Sequence, residues 1–181
     1  MKLICADYVL TMNATRDCIQ HGAVLVDGSK MIAVGKQEEL KSLYPNIEIH
    51  HYDHGLLMPG LINTHCHSGL LRGTAEGLPV WDWLQQFIDP MHRVLLPHDA
   101  KVASYLCYAE ALLSGTTTLV DMWRFMDGSA QAAKDLGLRA VLVPYVAEHP
   151  DHDYFETLKS NEALIQQWHQ QAEGRIHVWV G

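Results

Sequence analysis

From residue 56 onward the chain alternates strand-like and helix-like segments, and that rhythm leaves few folds open. "LLMPGLINTH" reads as a buried-type strand entered through Met58-Pro59-Gly60. "LPVWDWLQQFIDPMHRVLLP" reads as a long aromatic loop. A helix is predicted from about Asp99 to Ser114, with Val102, Tyr105, Leu106, Ala109, Leu112 and Leu113 on one apolar face. Gly115 stands where a helix C′ residue belongs. "TTTLVDM" is a strand, "DGSAQAAKDLG" a helix closed by Gly137, and "LRAVLVPYV" a strand. "DYFETLKSNEALIQQWHQQAEG" is a helix and "RIHVWVG" a fourth strand. Such alternation implies parallel strands joined by right-handed crossovers. Four β/α units are half of an eight-stranded barrel. A half barrel leaves unpaired sheet edges and an open apolar interior. The sequence therefore predicts either a smaller open sheet or part of a longer protein.

Residues 1–55 have a different character. "KLICADYVLT" and "GAVLVDG" are β-rich, and "SKMIAVGK" follows the Asp27-Gly28 turn signal, which predicts a hairpin. "KQEELKSLY" is a single helix ended by Pro45, and "IEIHHYD" begins another strand. The formal charge of −8, without a Lys/Arg run, argues against a nucleic-acid groove or an anionic membrane surface as the partner. No segment approaches the ~20 apolar residues of a membrane helix. The first residues lack a signal-peptide cleavage pattern, and Asp7 interrupts their apolar stretch. Cys5, Cys18, Cys66 and Cys107 are scattered with no C-x-x-C, which predicts reduced thiols in a cytoplasmic setting.

The feature that carries chemistry is "NTHCHSG". Residues i and i+2 of a strand point to one side, so His65 and His67 project together while Cys66 points away. Two neutral imidazoles at a strand's C-terminal end can share one cation, and barrels place their chemistry at strand C-termini. Zinc in a site with an open position lowers the pKa of water to about 7. A bare H-x-H is more often a pair of surface hydrogen bonders. The buried strand, the Pro-Gly entry and the β/α series that follows favour the metal.

"LLMPGLINTHCHSGLLRG" resembles the first barrel strand of the amidohydrolase superfamily, and within it the branch of adenosine-type, guanine-type and triazine deaminases and chlorohydrolases. "ALLSGTTTLVDM", "LGLRAVLVPYV" and "AVLVDGSKMIAVGK" are similar to that branch as well. The resemblance implies a mononuclear hydrolase using one divalent metal, zinc or else iron, with His65 and His67 as two of its ligands. It implies an α/β fold: the N-terminal half of a (β/α)8 TIM-type barrel, residues 57–181, after the N-terminal part of a small β-sandwich, residues 1–56. The family draws its further ligands and its proton-shuttling Glu from strands five to eight and a His from just after strand four. The chain is therefore expected to be a truncated front part, inactive alone. "RIHVWVG" lacks the Lys that two-metal members carbamylate, which disfavours cyclic-amide hydrolases. The H-x-E and P-C-x-x-C pattern of cytidine-deaminase zinc sites is also missing.

The aromatic loop resembles the substrate-covering segment of the branch. Members acting on S-adenosylhomocysteine and methylthioadenosine carry a ribose-gripping Glu where His92 stands, and tend to carry an Arg where Pro144 stands. These departures point away from nucleosides, toward a free base, a pterin or a triazine. Trp81 and Trp83 either stack on a flat heterocycle or pin the loop. Arg72 either neutralises an anion or forms a structural ion pair. Asp121 is expected on the barrel's active face, orienting a ligand histidine or capping the next helix. His50, His51 and His54 read as a solvated surface in a polar turn, and Glu148–Asp153 as an ordinary loop with a helix cap. His177 has no assigned side.

The expected activity is hydrolytic deamination of an N-heterocycle. The alternatives are expulsion of chloride or an alkylamine from a triazine, and a non-catalytic product. The expected partner is a small heterocyclic substrate, with no nucleic acid and no membrane. A homodimer is the expected assembly.

Overall fold

Among the described residues, two four-stranded sheets organise the chain. A computed structural model describes residues 1–70, 73 and 77–181. Its residues divide into two units, Met1–Pro59 and Gly60–Gly181.

The first unit contains β1 (Lys2–Leu10), β2 (Cys18–Asp27), β3 (Lys30–Lys36), α1 (Gln37–Leu43) and β4 (Glu48–Leu57), with strand order β3-β2-β1-β4. The hairpin forms where Asp27-Gly28 predicts it: β2 and β3 are antiparallel with Asp27 opposite Lys30, and Gly28 takes a φ of +56°. A tight turn of this kind needs positive φ, which glycine adopts without a Cβ penalty. Leu3, Cys5, Ala23, Leu25 and Leu40 form the core of this unit. The three histidines of "HHYDH" lie within β4, not in a turn. Each sits against a carboxylate: His50 on Glu48 at 2.9 Å, His51 on Asp53 at 3.0 Å and His54 on Asp7 at 3.8 Å.

In the second unit β5 (Leu61–Cys66), β6 (Thr116–Trp123), β7 (Arg139–Pro144) and β8 (Ile176–Val178) lie parallel in that order. The connections carry α2 (Val80–Trp83), a π-helical turn (Leu84–Ile88), α3 (Asp89–Val94), α4 (Pro97–Leu113), α5 (Met126–Leu136), α6 (Leu158–Trp168) and α7 (Gln171–Gly174). The α/β alternation read from the sequence is therefore present, with parallel strands and helical crossovers. The core includes Leu119, Trp123, Leu138, Ala140, Leu142, Leu164, Ile176 and Val178. Gly115 and Gly137 follow α4 and α5 with φ of +85° and +78°, the left-handed conformation of helix ends.

Four local expectations are corrected. β5 is not buried: Leu61 and Ile62 are exposed, because β5 is an edge strand paired only with β6 among the described residues. The aromatic "loop" is helical from Val80 to Val94. Pro90 would hide this from a sequence reader, since its ring collides with the carbonyl four residues back in a regular α-helix. The wider π turn immediately before it relieves that collision. On α4 the buried residues are Ala100, Ser104 and Tyr108, while Val102, Leu106 and Leu113 are exposed. Polar residues with internal partners took the buried face, which a count of apolar side chains misses. Finally, α6 begins at Leu158, where Thr157 caps it: Thr157 Oγ1 accepts from the Ser160 N–H at 3.0 Å.

Candidate functional site

His65 lies near the end of β5 and His67 just beyond it. Their ring centroids are 4.7 Å apart and the planes meet at 84°. Cys66 goes the other way, into the layer between sheet and helices, where its sulfur is 3.6 Å from that of Cys107 on α4. That contact first, and burial second, push the Cys66 thiol far above the ordinary range, so it is a neutral packing residue.

The His67 ring is held by the backbone of β6. Its Nδ1 is 2.8 Å from the Met122 carbonyl oxygen. A carbonyl accepts only, so Nδ1 carries the proton, and in the neutral ring Nε2 keeps its lone pair. This is the arrangement a metal-binding imidazole requires. Among the described residues no group of three or more His, Cys, Asp and Glu is gathered around one point. The two imidazoles fit a divalent metal as a pair of nitrogen ligands.

Asp121 is fully buried. Along β6 the residues Leu119, Asp121 and Trp123 are buried and alternate with the more exposed Val120 and Met122. The carboxylate thus lies in the helix-facing layer, near the C-terminal end of β6. It bonds no imidazole directly, and because it lies inside β6 it caps no helix. It accepts from the Ser68 N–H at 2.8 Å, from Ser68 Oγ, and from the Tyr108 hydroxyl at 2.6 Å. Ser104 Oγ is 2.8 Å from Ser68 Oγ and 2.9 Å from Ser129 Oγ. Burial pushes the Asp121 carboxyl upward, and the bonds from Ser68 and Tyr108 oppose that. Burial, then the Asp121 charge, push the Tyr108 phenol well up.

His92 on α3 is buried at 2% exposure. Its ring stacks on Tyr154 and lies 4.6 Å from Trp123, which is itself 5.9 Å from the His67 ring. Both its ring nitrogens and Trp123 Nε1 are buried without a hydrogen-bond partner among the described residues. Burial first, and the Arg124 cation second, lower the His92 pKa to about 4, so the ring is neutral at pH 7. Trp83 packs against the core, which pins the helical segment, whereas Trp81 is 72% exposed. Arg72 lies outside the described residues.

The Glu148–Asp153 stretch is tied down through Arg93. That guanidinium bonds Asp89 at 3.3 Å, Asp153 at 3.2 Å and the Asp151 carbonyl at 2.9 Å. His152 sits 3.0 Å from the same Asp89 carboxylate. The helix cap lies beyond this stretch, at Thr157. His177 alternates with the buried Ile176 and Val178, and its Nδ1 is 3.3 Å from Gln170 Nε2. Sequence reasoning missed Ser68, Tyr108, Ser104 and Ser129 as a network, and Arg93 as a latch. Only the Asp89/Arg93 spacing of four on a helix carried a signal.

The amidohydrolase family model matches residues 56–181. The 5'-deoxyadenosine deaminase of Methanococcoides burtonii is 37% identical over 177 residues, covering 96% of this chain and 40% of that protein. The 5-methylthioadenosine/S-adenosylhomocysteine deaminase of Thermodesulfovibrio yellowstonii is 39% identical over 181 residues, covering 90% and 41%. Among solved structures, an adenosine deaminase from Xanthomonas campestris with bound zinc superposes with a TM-score of 0.80 at 26% identity, covering 98% of this chain and 42% of that one. An atrazine chlorohydrolase from Arthrobacter aurescens complexed with zinc gives a TM-score of 0.83 at 23% identity, covering 100% and 46%. At that identity the second match shows the fold alone, the front half of the barrel. The chain spans about two fifths of the length of the curated relatives it matches. It belongs to the amidohydrolase family.

Proposed function

We propose that this chain supplies part of the centre of a metal-dependent hydrolase that deaminates an N-heterocycle. The observation that carries the reading is the His65–His67 pair, two rings converging at one strand end with His67 already fixed in the tautomer that leaves Nε2 free. His65 and His67 would hold one divalent metal, zinc before iron. When bound, such a metal lowers the pKa of water to about 7. The Met122 carbonyl keeps the His67 proton on Nδ1, and the buried Trp123 ring packs beside it at 5.9 Å. In the overall reaction water forms a C–O bond to an amidine-like ring carbon, the exocyclic C–N bond breaks, and ammonia leaves.

The relatives' names support an adenine nucleoside bearing a modified 5′ position as the substrate class. This differs from the free base to which His92 and Pro144 point in the sequence. The burial of His92 against Tyr154 reduces the weight of that argument, because His92 is packed into its own unit. In this reading residues 1–56 are the N-terminal part of a small β-sandwich, and residues 57–181 are the first four β/α units of the barrel. No helix among the described residues is long and apolar enough to cross a membrane. A cytoplasmic homodimer acting on a small molecule completes the proposal.

The test uses the full-length polypeptide carrying this chain, loaded with zinc. It is offered 5'-deoxyadenosine, methylthioadenosine, adenosine, guanine, a pterin and a chlorotriazine. Ammonia release from the nucleosides is expected. Chloride release from the triazine alone would replace deamination with chlorohydrolysis, and no release from any compound would overturn the reading.

A further inference from the structure

We infer that Asp121 is a positioning residue for His67, acting through Ser68 from behind the sheet. The inference rests on the reading of His65 and His67 as metal ligands. Two consecutive residues of β6 grip two consecutive residues of the chain leaving β5. The Met122 carbonyl takes the His67 Nδ1 proton at 2.8 Å. The Asp121 carboxylate takes the Ser68 N–H at 2.8 Å and the Ser68 hydroxyl proton as well. The Tyr108 hydroxyl, at 2.6 Å, holds the carboxylate from α4. Ser68 spends its single proton on Asp121, and its oxygen lies 2.8 Å from Ser104 Oγ, which donates to the Ala100 carbonyl at 2.9 Å, and 3.4 Å from Ser129 Oγ. The segment after His67 is therefore bound to β6, α4 and α5 together.

A carboxylate is a costly way to fill a core. Apolar residues of similar volume often serve stability as well or better, while removing one partner leaves an uncompensated charge. Here two of the three bonds that Asp121 accepts end on the residue next to His67. A backbone pinned at residue 68 fixes the distance from the His67 ring to the Met122 carbonyl. That distance decides whether Nδ1 keeps its proton and Nε2 faces outward. Outer partners of this kind typically change metal affinity by about 10–100-fold.

The experiment compares the full-length wild type with Asp121→Asn, Ser68→Ala and the packing control Leu119→Ala. Leu119 is fully buried on the same face of β6. Zinc affinity is measured by competition with a chromophoric chelator, and thermal midpoints are measured on the metal-free proteins. The ring 15N signals of His67 are recorded without metal. Asp121→Asn and Ser68→Ala are expected to weaken zinc binding about 10–100-fold and to convert His67 from one Nδ1–H tautomer to an exchanging mixture. Leu119→Ala is expected to lower the thermal midpoint while leaving zinc affinity and the tautomer unchanged. Unchanged zinc affinity and tautomer in both network variants would overturn the inference, as would equal weakening in Leu119→Ala. If Asp121→Asn does not fold, Ser68→Ala decides alone. A wild type that binds no zinc would remove the metal reading, and the His67 tautomer would still decide the role of Asp121.

Discussion

The imidazole of His92 lies flat on the ring of Tyr154, with centroids 4.7 Å apart and planes 15° from parallel. Trp123 flanks it at 4.6 Å, and the Arg124 guanidinium donates to its backbone carbonyl at 2.6 Å. This stack joins α3, β6 and the β7–α6 connection within one unit.

The stack makes stability depend on pH. The folded His92 has a pKa near 4, against 6.5 for an unperturbed histidine, through burial first and the Arg124 charge second. Between those values the unfolded chain takes up a proton that the folded one refuses. Stability from this group is therefore complete above pH 6.5 and falls as pH drops toward 4. His92→Phe keeps the stacking and loses the titration. Urea unfolding at pH 7.5 and pH 5 should show a smaller difference in the variant than in the wild type, and equal differences would refute the assignment.

Arg93 latches the stretch 149–154 to α3. Arg93→Ala should accelerate amide hydrogen exchange in that stretch while costing only about 0.5–2 kcal/mol overall, because partly exposed ion pairs are weak singly and gain as a network. Arg93→Lys should not restore protection, since an ammonium lacks the planar fork that reaches several acceptors. Full protection in Arg93→Lys would show that charge alone suffices.

Gly69 is buried where the Trp123 indole passes, and a Cβ there would run into the Trp123 ring. Gly69→Ala should destabilise by about 1–3 kcal/mol, the usual cost of overpacking, and should change tryptophan fluorescence. A variant as stable as the wild type would mean that the indole can move aside freely.

His65 is exposed, and its ring meets the His67 ring edge-on with centroids 4.7 Å apart. His65→Ala should leave the unfolding midpoint nearly unchanged, within the ~0.5 kcal/mol typical of surface substitutions, yet strip zinc from the full-length protein. His67→Ala should strip zinc as well and cost slightly more stability, because the Met122 carbonyl loses its partner. Metal content is read by elemental analysis, and full zinc retention in both variants would remove them as ligands.

Much of the fold was legible because it rests on local signals. Asp27-Gly28 and Gly137 each encode a backbone conformation, and the strand–helix rhythm encodes the parallel sheet. The strand alternation that sends Cys66 away from His65 and His67 was equally readable. The π turn was not, because Pro90 argues locally against a helix. The buried face of α4 was not either, because Ser104 and Tyr108 are buried only by virtue of partners that are distant in sequence. The side of the sheet that Asp121 occupies depends on Ser68 and Tyr108 in the same way. A single sequence shows which residues have chemistry to offer, but not which of them find each other.

The π turn at Leu84–Ile88 carries a cost in tolerance to insertion and deletion. Each residue of an α-helix turns the chain by about 100°, so removing one residue there would swing the rest of the helical run around its axis. His92 would leave the ring of Tyr154, and Arg93 would face away from the acidic stretch it clasps. The phasing of the whole segment thus hangs on a single extra residue, and shortened variants in this stretch should be far rarer than substituted ones.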